Sequence, residues 1–132
     1  MNRKQSAGMA AEAFNLDSPE IVASLATDYI NSGADIILTN SFQSARFQLE
    51  RHGLSDRVYE INLLAAEISV RARNKTVAPD DEISQRTLVA GSIGPSGKLI
   101  LTGDVTADEL ESAFREQAEA LAAGGADWIL IE

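Results

Sequence analysis

The chain has 132 residues, of which 45% are apolar, and it carries a formal net charge of −9. These values predict a single globular domain with a real core, and the acidic charge makes nucleic acid and anionic membrane surfaces poor partners. The sequence has no cysteine, which excludes disulfides and thiolate metal ligands, and it has neither a bilayer-length apolar run nor a secretory signal, so we expect a cytoplasmic protein.

The first part of the chain predicts one helix. Residues 1–17 show no clear periodicity, and we expect them to lack regular structure. A helix should begin at Ser18-Pro19, because serine is a good cap and proline suits the first helical position. Apolar residues then recur at helical spacing as far as Gly33, where a left-handed residue is expected to end the helix.

The middle of the chain predicts a strand and two further helices. Residues 35–40 are almost all apolar at their centre, which predicts a strand buried on both faces. A short helix is expected over residues 43–52. A longer helix should follow, with one apolar stripe that faces a core. That stripe consists of Val58, Ile61, Ala65, Ile68 and Ala72. Residues 74–86 are polar and predict an exposed connection.

The last part of the chain repeats the alternation of strand and helix. A second strand is predicted over residues 87–92, and a glycine-rich loop follows it. Thr106 and Glu109 form the T-x-x-E pattern of a capping box, at the start of a helix that should run to about Ala123. We expect its inward residues to be Leu110, Phe114, Ala118 and Leu121. A third strand completes an α/β pattern of parallel units.

Candidate functional residues cluster where the three predicted strands end, because ligands bind at the carboxyl ends of strands in parallel α/β folds. These residues are Thr39, Asn40, Ser41, Phe42, Ser92, Gly94 and Glu132. For Asn40 and Ser41 two interpretations stay open, namely capping of the next helix and contact with a ligand. A carboxylate at the position of Glu132 can bind an ammonium group or simply remain solvated.

Other chemistries are poorly supported. The loop after the second strand fails the phosphate-loop pattern, because Ser92 replaces its first glycine and Leu99 replaces its hydroxyl residue. His52 is the only histidine, so neither a metal site nor a Ser-His-Asp triad is expected. Asp35 and Asp127 begin strands, which places them at the opposite end of the sheet, where residues serve stability.

Several stretches, in the right order, resemble the homocysteine S-methyltransferase family. They are residues 15–20, 33–42, 53–58, 90–97, 114–118 and 126–132. The resemblance implies a TIM barrel that transfers a methyl group from a donor to the sulfur of homocysteine, with zinc held by three cysteine thiolates in the complete enzyme. It also implies that Glu132 holds the amino group of the substrate and that residues 39–42 and 92–95 are segments of the pocket.

The chain departs from this family pattern in two ways. It has no cysteine, and no first barrel strand is recognisable upstream of Met9. We therefore expect residues 1–132 to form a partial homocysteine-binding barrel domain, truncated at both ends and holding about strands two to four. No catalytic residue, no metal ligand and no bound zinc are predicted for this chain, and by itself it should be inactive.

Two other readings compete with a methyltransferase part. The chain could be a non-catalytic α/β piece that persists by self-association through open sheet edges, or by pairing with the rest of a barrel. An enzyme of unrelated chemistry on the same barrel is the third, because a fold does not determine a function.

Overall fold

The computed structural model describes residues 10–76 and 87–132, so most of the predicted connection 74–86 lies outside the described residues. A 3-10 turn at Ala11–Ala13 leads into helix α1 (Phe14–Asp17). The prediction that this region lacks regular structure is therefore wrong for its described part. The turns are too short to show a period, and they form because Leu16 packs against a core cluster that contains Leu49 and Ile61.

Helix α2 (Pro19–Asn31) begins and ends at the predicted residues, but the side chain of Ser18 at its N-cap makes no capping hydrogen bond, so that part of the prediction is wrong. Proline occupies its first position, and Gly33 after its end has a φ of 87°, which favours glycine. Ala26 and Ile30 of this helix are buried. The apolar residues on its other side are exposed, and they are Ile21, Leu25 and Tyr29.

Three strands of the described chain form one parallel sheet: β1 (Ile36–Leu38), β2 (Leu88–Ile93) and β3 (Trp128–Ile131). Strand β2 lies in the centre, so the strands follow each other in space in the order of the sequence. This arrangement confirms the predicted alternation of parallel strands and helices. The carboxyl ends of all three strands consequently meet at one edge of the sheet.

Helices cover one face of the sheet. Helix α3 (Arg46–Glu50) is short, and α4 (Val58–Thr76) packs against both α2 and α5 (Ala107–Ala123). The predicted apolar stripe of α4 is buried along its whole length. No helix in the part of the chain that the structure describes is long and apolar enough to cross a membrane.

The other face of the sheet is open. Ile37 of β1 is buried against α2 and α4, whereas its neighbours Ile36 and Leu38 are 44% and 49% exposed. Leu88 and Trp128 continue this open face on the next two strands, where they are 43% and 44% exposed. The prediction of a strand buried on both faces is thus wrong here, because an apolar run does not reveal which of its two faces is covered.

Helix α5 begins at the predicted capping box. The hydroxyl of Thr106 accepts a hydrogen bond from the backbone N–H of Glu109, and the Glu109 carboxylate accepts from the backbone of Thr106. Leu121 is buried as predicted, and Phe114 and Ala118 pack beside it at partial burial. The side chain of Gln117 is also completely buried, which the apolar pattern did not predict.

Candidate functional site

Backbone hydrogen bonds bring the ends of the three strands together. The N–H of Thr39 donates to the carbonyl of Ala90 at 3.0 Å, which joins the end of β1 to β2. The N–H of Glu132 donates to the carbonyl of Ile93 at 3.0 Å, which joins the end of β3 to β2. All the candidate residues therefore lie at the same edge, named here the carboxyl edge.

Thr39 and Ser41 use their hydroxyl groups to join β1 to β2. The two hydroxyl oxygens lie 2.6 Å apart, Ser41 Oγ donates to the carbonyl of Ser92 at 2.7 Å, and the N–H of Ser92 donates to Thr39 Oγ1 at 3.0 Å. Because each hydroxyl has a single proton, Thr39 must donate to Ser41. Both side chains are buried, and their hydrogen bonds point into the protein.

Asn40 is held by the segment before α2. Its Nδ2 donates to the carbonyl of Ala11 at 3.0 Å and to Asn15 Oδ1 at 3.1 Å, and Asn15 Nδ2 returns a bond of 2.8 Å to the carbonyl of Asn40. Helix α3 starts at Arg46 with Ala45 as its N-cap residue. The capping interpretation of Asn40 and Ser41 is therefore wrong.

Phe42 lies directly over Gly94. The N–H of Gly94 donates to the carbonyl of Phe42 at 2.9 Å, and the aromatic ring remains partly exposed at the carboxyl edge. A Cβ atom at Gly94 would lie 2.6 Å from the Phe42 carbonyl oxygen and 2.7 Å from a ring carbon. Such distances are too short for any side chain, so glycine allows this close contact.

The buried hydroxyl of Ser92 and the exposed carboxylate of Glu132 form a polar pair at the carboxyl edge. Ser92 Oγ donates to Glu132 Oε1 at 2.8 Å, and Glu132 is exposed. An ionised carboxylate can accept about four hydrogen bonds, so one bond from a hydroxyl leaves most of that capacity for a ligand. The pair is therefore an oriented carboxylate at the carboxyl edge, where the ring of Phe42 and the turn at Gly94 also lie.

The comparison with protein families decides what kind of chain this is. A family model described as homocysteine S-methyltransferase matches residues 2–132. The chain belongs to the homocysteine S-methyltransferase family.

Curated relatives in this family are much longer than the present chain. The methionine synthase of Mycobacterium tuberculosis is 29% identical over 121 residues, which cover 92% of this chain and 10% of that protein. The methionine synthase of Mycobacterium leprae is 27% identical over 121 residues, which again cover 92% of this chain and 10% of that protein. The chain thus spans about a tenth of the length of these relatives.

Solved structures of a homocysteine methyltransferase, MmuM from Escherichia coli, share the fold. The metallated form superposes with a TM-score of 0.81 at 23% identity, covering 98% of this chain and 47% of that chain. The oxidised form gives 0.77 at 25% identity, covering 96% and 46%. The three-stranded α/β fold therefore matches part of a TIM barrel, and the chain spans about half of the length of the solved chains.

The described side chains of this chain do not form a metal site. Within residues 10–76 and 87–132, no group of three or more His, Asp or Glu side chains could hold a metal ion. The full sequence contributes no cysteine and only one histidine, His52, which is exposed on the loop after α3. Zinc in proteins needs three or four closely placed nitrogen, sulfur or oxygen ligands, and the described part of this chain does not supply them.

Sequence reasoning missed the polar side chains that hold the carboxyl edge from behind. Glu12 Oε1 accepts from the N–H of Gln43 at 2.8 Å, and Gln48 Nε2 donates to the carbonyl of Pro95 at 3.1 Å. Gln117 and Asn62 make similar bonds below the loop after β1. Each lies in a helical segment as a single polar residue. In the sequence, only its place on the inward side of the helical pattern distinguishes it from an exposed polar residue.

Proposed function

We propose that this chain supplies part of the amino-acid pocket of a homocysteine S-methyltransferase-type enzyme. In that reaction a methyl donor gives its methyl group to the sulfur of homocysteine, and methionine is formed. The observation that carries the proposal is the Ser92–Glu132 pair at the carboxyl edge of a parallel sheet, in a chain of this family. TIM-barrel enzymes bind their substrates at this edge.

Glu132 is proposed to bind the amino group of homocysteine. Its carboxylate is exposed, and the hydroxyl of Ser92 orients it from one side. A carboxylate is the natural partner of an ammonium group, and a charge-assisted hydrogen bond is stronger than a neutral one. The ring of Phe42 and the backbone of Gly94 are proposed to form the adjacent wall.

The remaining proposed pocket residues act mainly by holding the edge. Thr39 and Ser41 are buried, and their hydroxyls join β1 to β2 rather than pointing outward. Asn40 joins the end of β1 to the segment before α2. We propose no catalytic residue in this chain, because the described residues include no cluster of side chains that could hold a metal ion and so activate a thiol.

Activation of the homocysteine sulfur is proposed to depend on groups outside this chain. A bound metal ion stabilises a thiolate at neutral pH, and zinc is the metal proposed for the complete enzyme. The donors described above do not fit zinc. We therefore propose that residues 1–132 act as a partial homocysteine-binding domain and do not transfer methyl groups alone.

The open face of the sheet supports a second property, which is association. Leu38 and Trp128 on that face are about half exposed, and β1 and β3 are edge strands within the described residues. Exposed apolar surface and unpaired strand edges favour pairing with other strands. We propose that the chain associates with itself through this face. A cytoplasmic location and the absence of nucleic-acid partners stay predictions from the sequence.

A calorimetric titration tests the proposed amino-group site. The chain is titrated with L-homocysteine and with 4-mercaptobutanoate, which lacks the amino group. We expect Glu132→Gln to weaken binding of homocysteine about 1.4- to fivefold, because an exposed ion pair contributes roughly 0.2–1 kcal/mol. Binding of 4-mercaptobutanoate should not change.

The matched control is Glu119→Gln, which removes the same charge from an exposed position on α5. It should leave both affinities unchanged. The proposal fails if the chain does not bind homocysteine, or if Glu132→Gln lowers both affinities equally.

A further inference from the structure

Gln117 is a buried polar side chain that the proposed pocket does not yet explain. It lies in the middle of α5 with 0% of its surface exposed, among the buried residues Ala113, Ala120 and Leu121. Burial of an amide is unfavourable unless hydrogen bonds replace those to water. The position therefore requires partners inside the protein.

The nitrogen of this amide has partners in the loop after β1. Gln117 Nε2 donates to the carbonyl of Ser41 at 2.8 Å and to Ser44 Oγ at 3.2 Å. Its oxygen, Oε1, has no hydrogen-bond partner among the described residues. A buried polar atom without a partner needs an explanation. We attribute the burial of this amide to its nitrogen, which binds a loop 73 to 76 residues away in the chain.

A proton count assigns the hydrogen bonds around Ser44. Ser44 Oγ lies 2.6 Å from the carbonyl of Ser41 and 2.6 Å from Asn62 Oδ1, and its one proton can satisfy only one of them. Asn62 Nδ2 is already used, because it donates to the carbonyls of Ser44 and Val58. The carbonyl of Ser41 accepts from the backbone N–H of Ser44 at 3.1 Å and from Gln117 Nε2, so the proton of Ser44 Oγ can serve Asn62 and all these acceptors are satisfied.

The same loop leads directly to the carboxyl edge. Ser41 precedes Phe42, whose carbonyl accepts from Gly94, and the hydroxyl of Ser41 donates to the carbonyl of Ser92. Ser92 in turn orients Glu132. A shift of the Ser41 carbonyl would therefore reach both sides of the proposed pocket.

We propose that Gln117 is a positioning residue for the homocysteine pocket, acting from α5 through Ser41 on the position of Phe42 over Gly94. It touches no substrate. The role in binding rests on the proposed function, whereas the effect on the loop does not.

The test replaces Gln117 by methionine, which keeps the length of the side chain and removes the donor. Hydrogen exchange of the Gly94 amide reports on the bond to Phe42, and it is compared with exchange of β2 amides such as that of Ala90. We expect Gln117→Met to lower the protection of Gly94 about tenfold relative to Ala90, because a local opening exposes that amide.

Thr87→Val is the matched control. It removes a buried hydrogen bond of 3.0 Å from Thr87 Oγ1 to the carbonyl of Ala34, at the opposite end of the sheet. The relative protection of Gly94 should stay unchanged in this variant. An equal loss in both variants, or no loss in Gln117→Met, would overturn the positioning role.

A measurement on the unsubstituted chain guards against a variant that does not fold. The side-chain N–H groups of Gln117 should exchange slowly with solvent and should show a scalar coupling to the carbonyl carbon of Ser41 across the hydrogen bond. Fast exchange without that coupling would overturn the inference.

Titration with homocysteine then connects the loop to the pocket. Gln117→Met should raise the dissociation constant of homocysteine about five- to tenfold, and Thr87→Val should leave it unchanged. If the unsubstituted chain does not bind homocysteine, the proposed function fails while the Gly94 measurement still decides the effect on the loop. Unchanged affinity in Gln117→Met, with Gly94 loosened, would remove the residue from the pocket.

Discussion

The two faces of the sheet are built from similar residues but have different surroundings. On the covered face, Ile37, Val89 and Ile93 are buried under helices α2, α4 and α5. On the open face, residues of the same type, such as Ile36 and Leu38, remain about half exposed. Apolar character alone therefore does not reveal burial in a parallel sheet, since a barrel strand needs apolar residues on both faces.

The largest expected effect is on the covered face. Leu121→Ala removes a fully buried side chain that packs on Ile93 and Ala65, and we expect the free energy of unfolding to fall by about 2–5 kcal/mol. Leu38→Ala on the open face removes the same atoms and should cost less than about 1 kcal/mol. Urea unfolding followed by circular dichroism measures both, and equal losses would contradict the difference between the faces.

A smaller effect is expected on association through the open face. Leu38→Gln makes that face more polar, and we expect the dissociation constant of any self-associated form to rise about tenfold, since burying a leucine contributes roughly 1.5 kcal/mol. Sedimentation velocity over a concentration series measures the change. Ile100→Gln, at a similarly exposed position in the loop before α5, is the control. If the chain is monomeric at all concentrations, the proposed self-association through the open face is wrong.

The smallest expected effect lies at the exposed start of α5, on the covered side of the sheet. The backbone N–H and the hydroxyl of Thr106 both donate to the Glu109 carboxylate. These bonds lower the pKa of Glu109 below its ordinary value, and the backbone N–H has the larger effect. A lowered pKa in the folded state means that this group stabilises the fold above its unfolded pKa, and that the contribution is lost as the pH falls through the folded value.

Carbon-detected NMR titration of the Glu109 carboxyl group measures this shift. Thr106→Ala keeps the backbone donor and removes the hydroxyl, so the pKa should move only part of the way back to the ordinary glutamate value. No movement in this variant would mean that the hydroxyl contributes nothing to the lowered pKa.

The sequence predicted the order of elements well where local signals were strong. The capping box at Thr106 and Glu109, the proline that starts α2 and the left-handed Gly33 all lie where they were expected. Each of these signals acts within one turn of backbone, so neighbouring residues suffice to specify it. The parallel order of the strands followed from the alternation of strands with helices.

Signals that depend on distant partners were missed. Gln117 interrupts an apolar face, and its partner Ser41 lies 76 residues earlier in the chain. Asn40 was assigned a possible cap, but its side chain bonds to Ala11 and Asn15. In both cases the polar residue is visible in the sequence. The partners of its hydrogen bonds are not, because they depend on how separate elements pack.

By itself, the sequence determined the family, the order of helices and strands from α2 onward, and the edge at which the candidate residues gather, because these follow from local periodicity and from motifs in a set order. Only the tertiary structure decided which face of the sheet is covered and which polar groups face inward. It left the Glu132 carboxylate at the surface, bonded to the buried hydroxyl of Ser92, and turned Thr39 and Ser41 into the protein. The physical reason is that burial and hydrogen-bond partners are set by contacts between residues far apart in the chain.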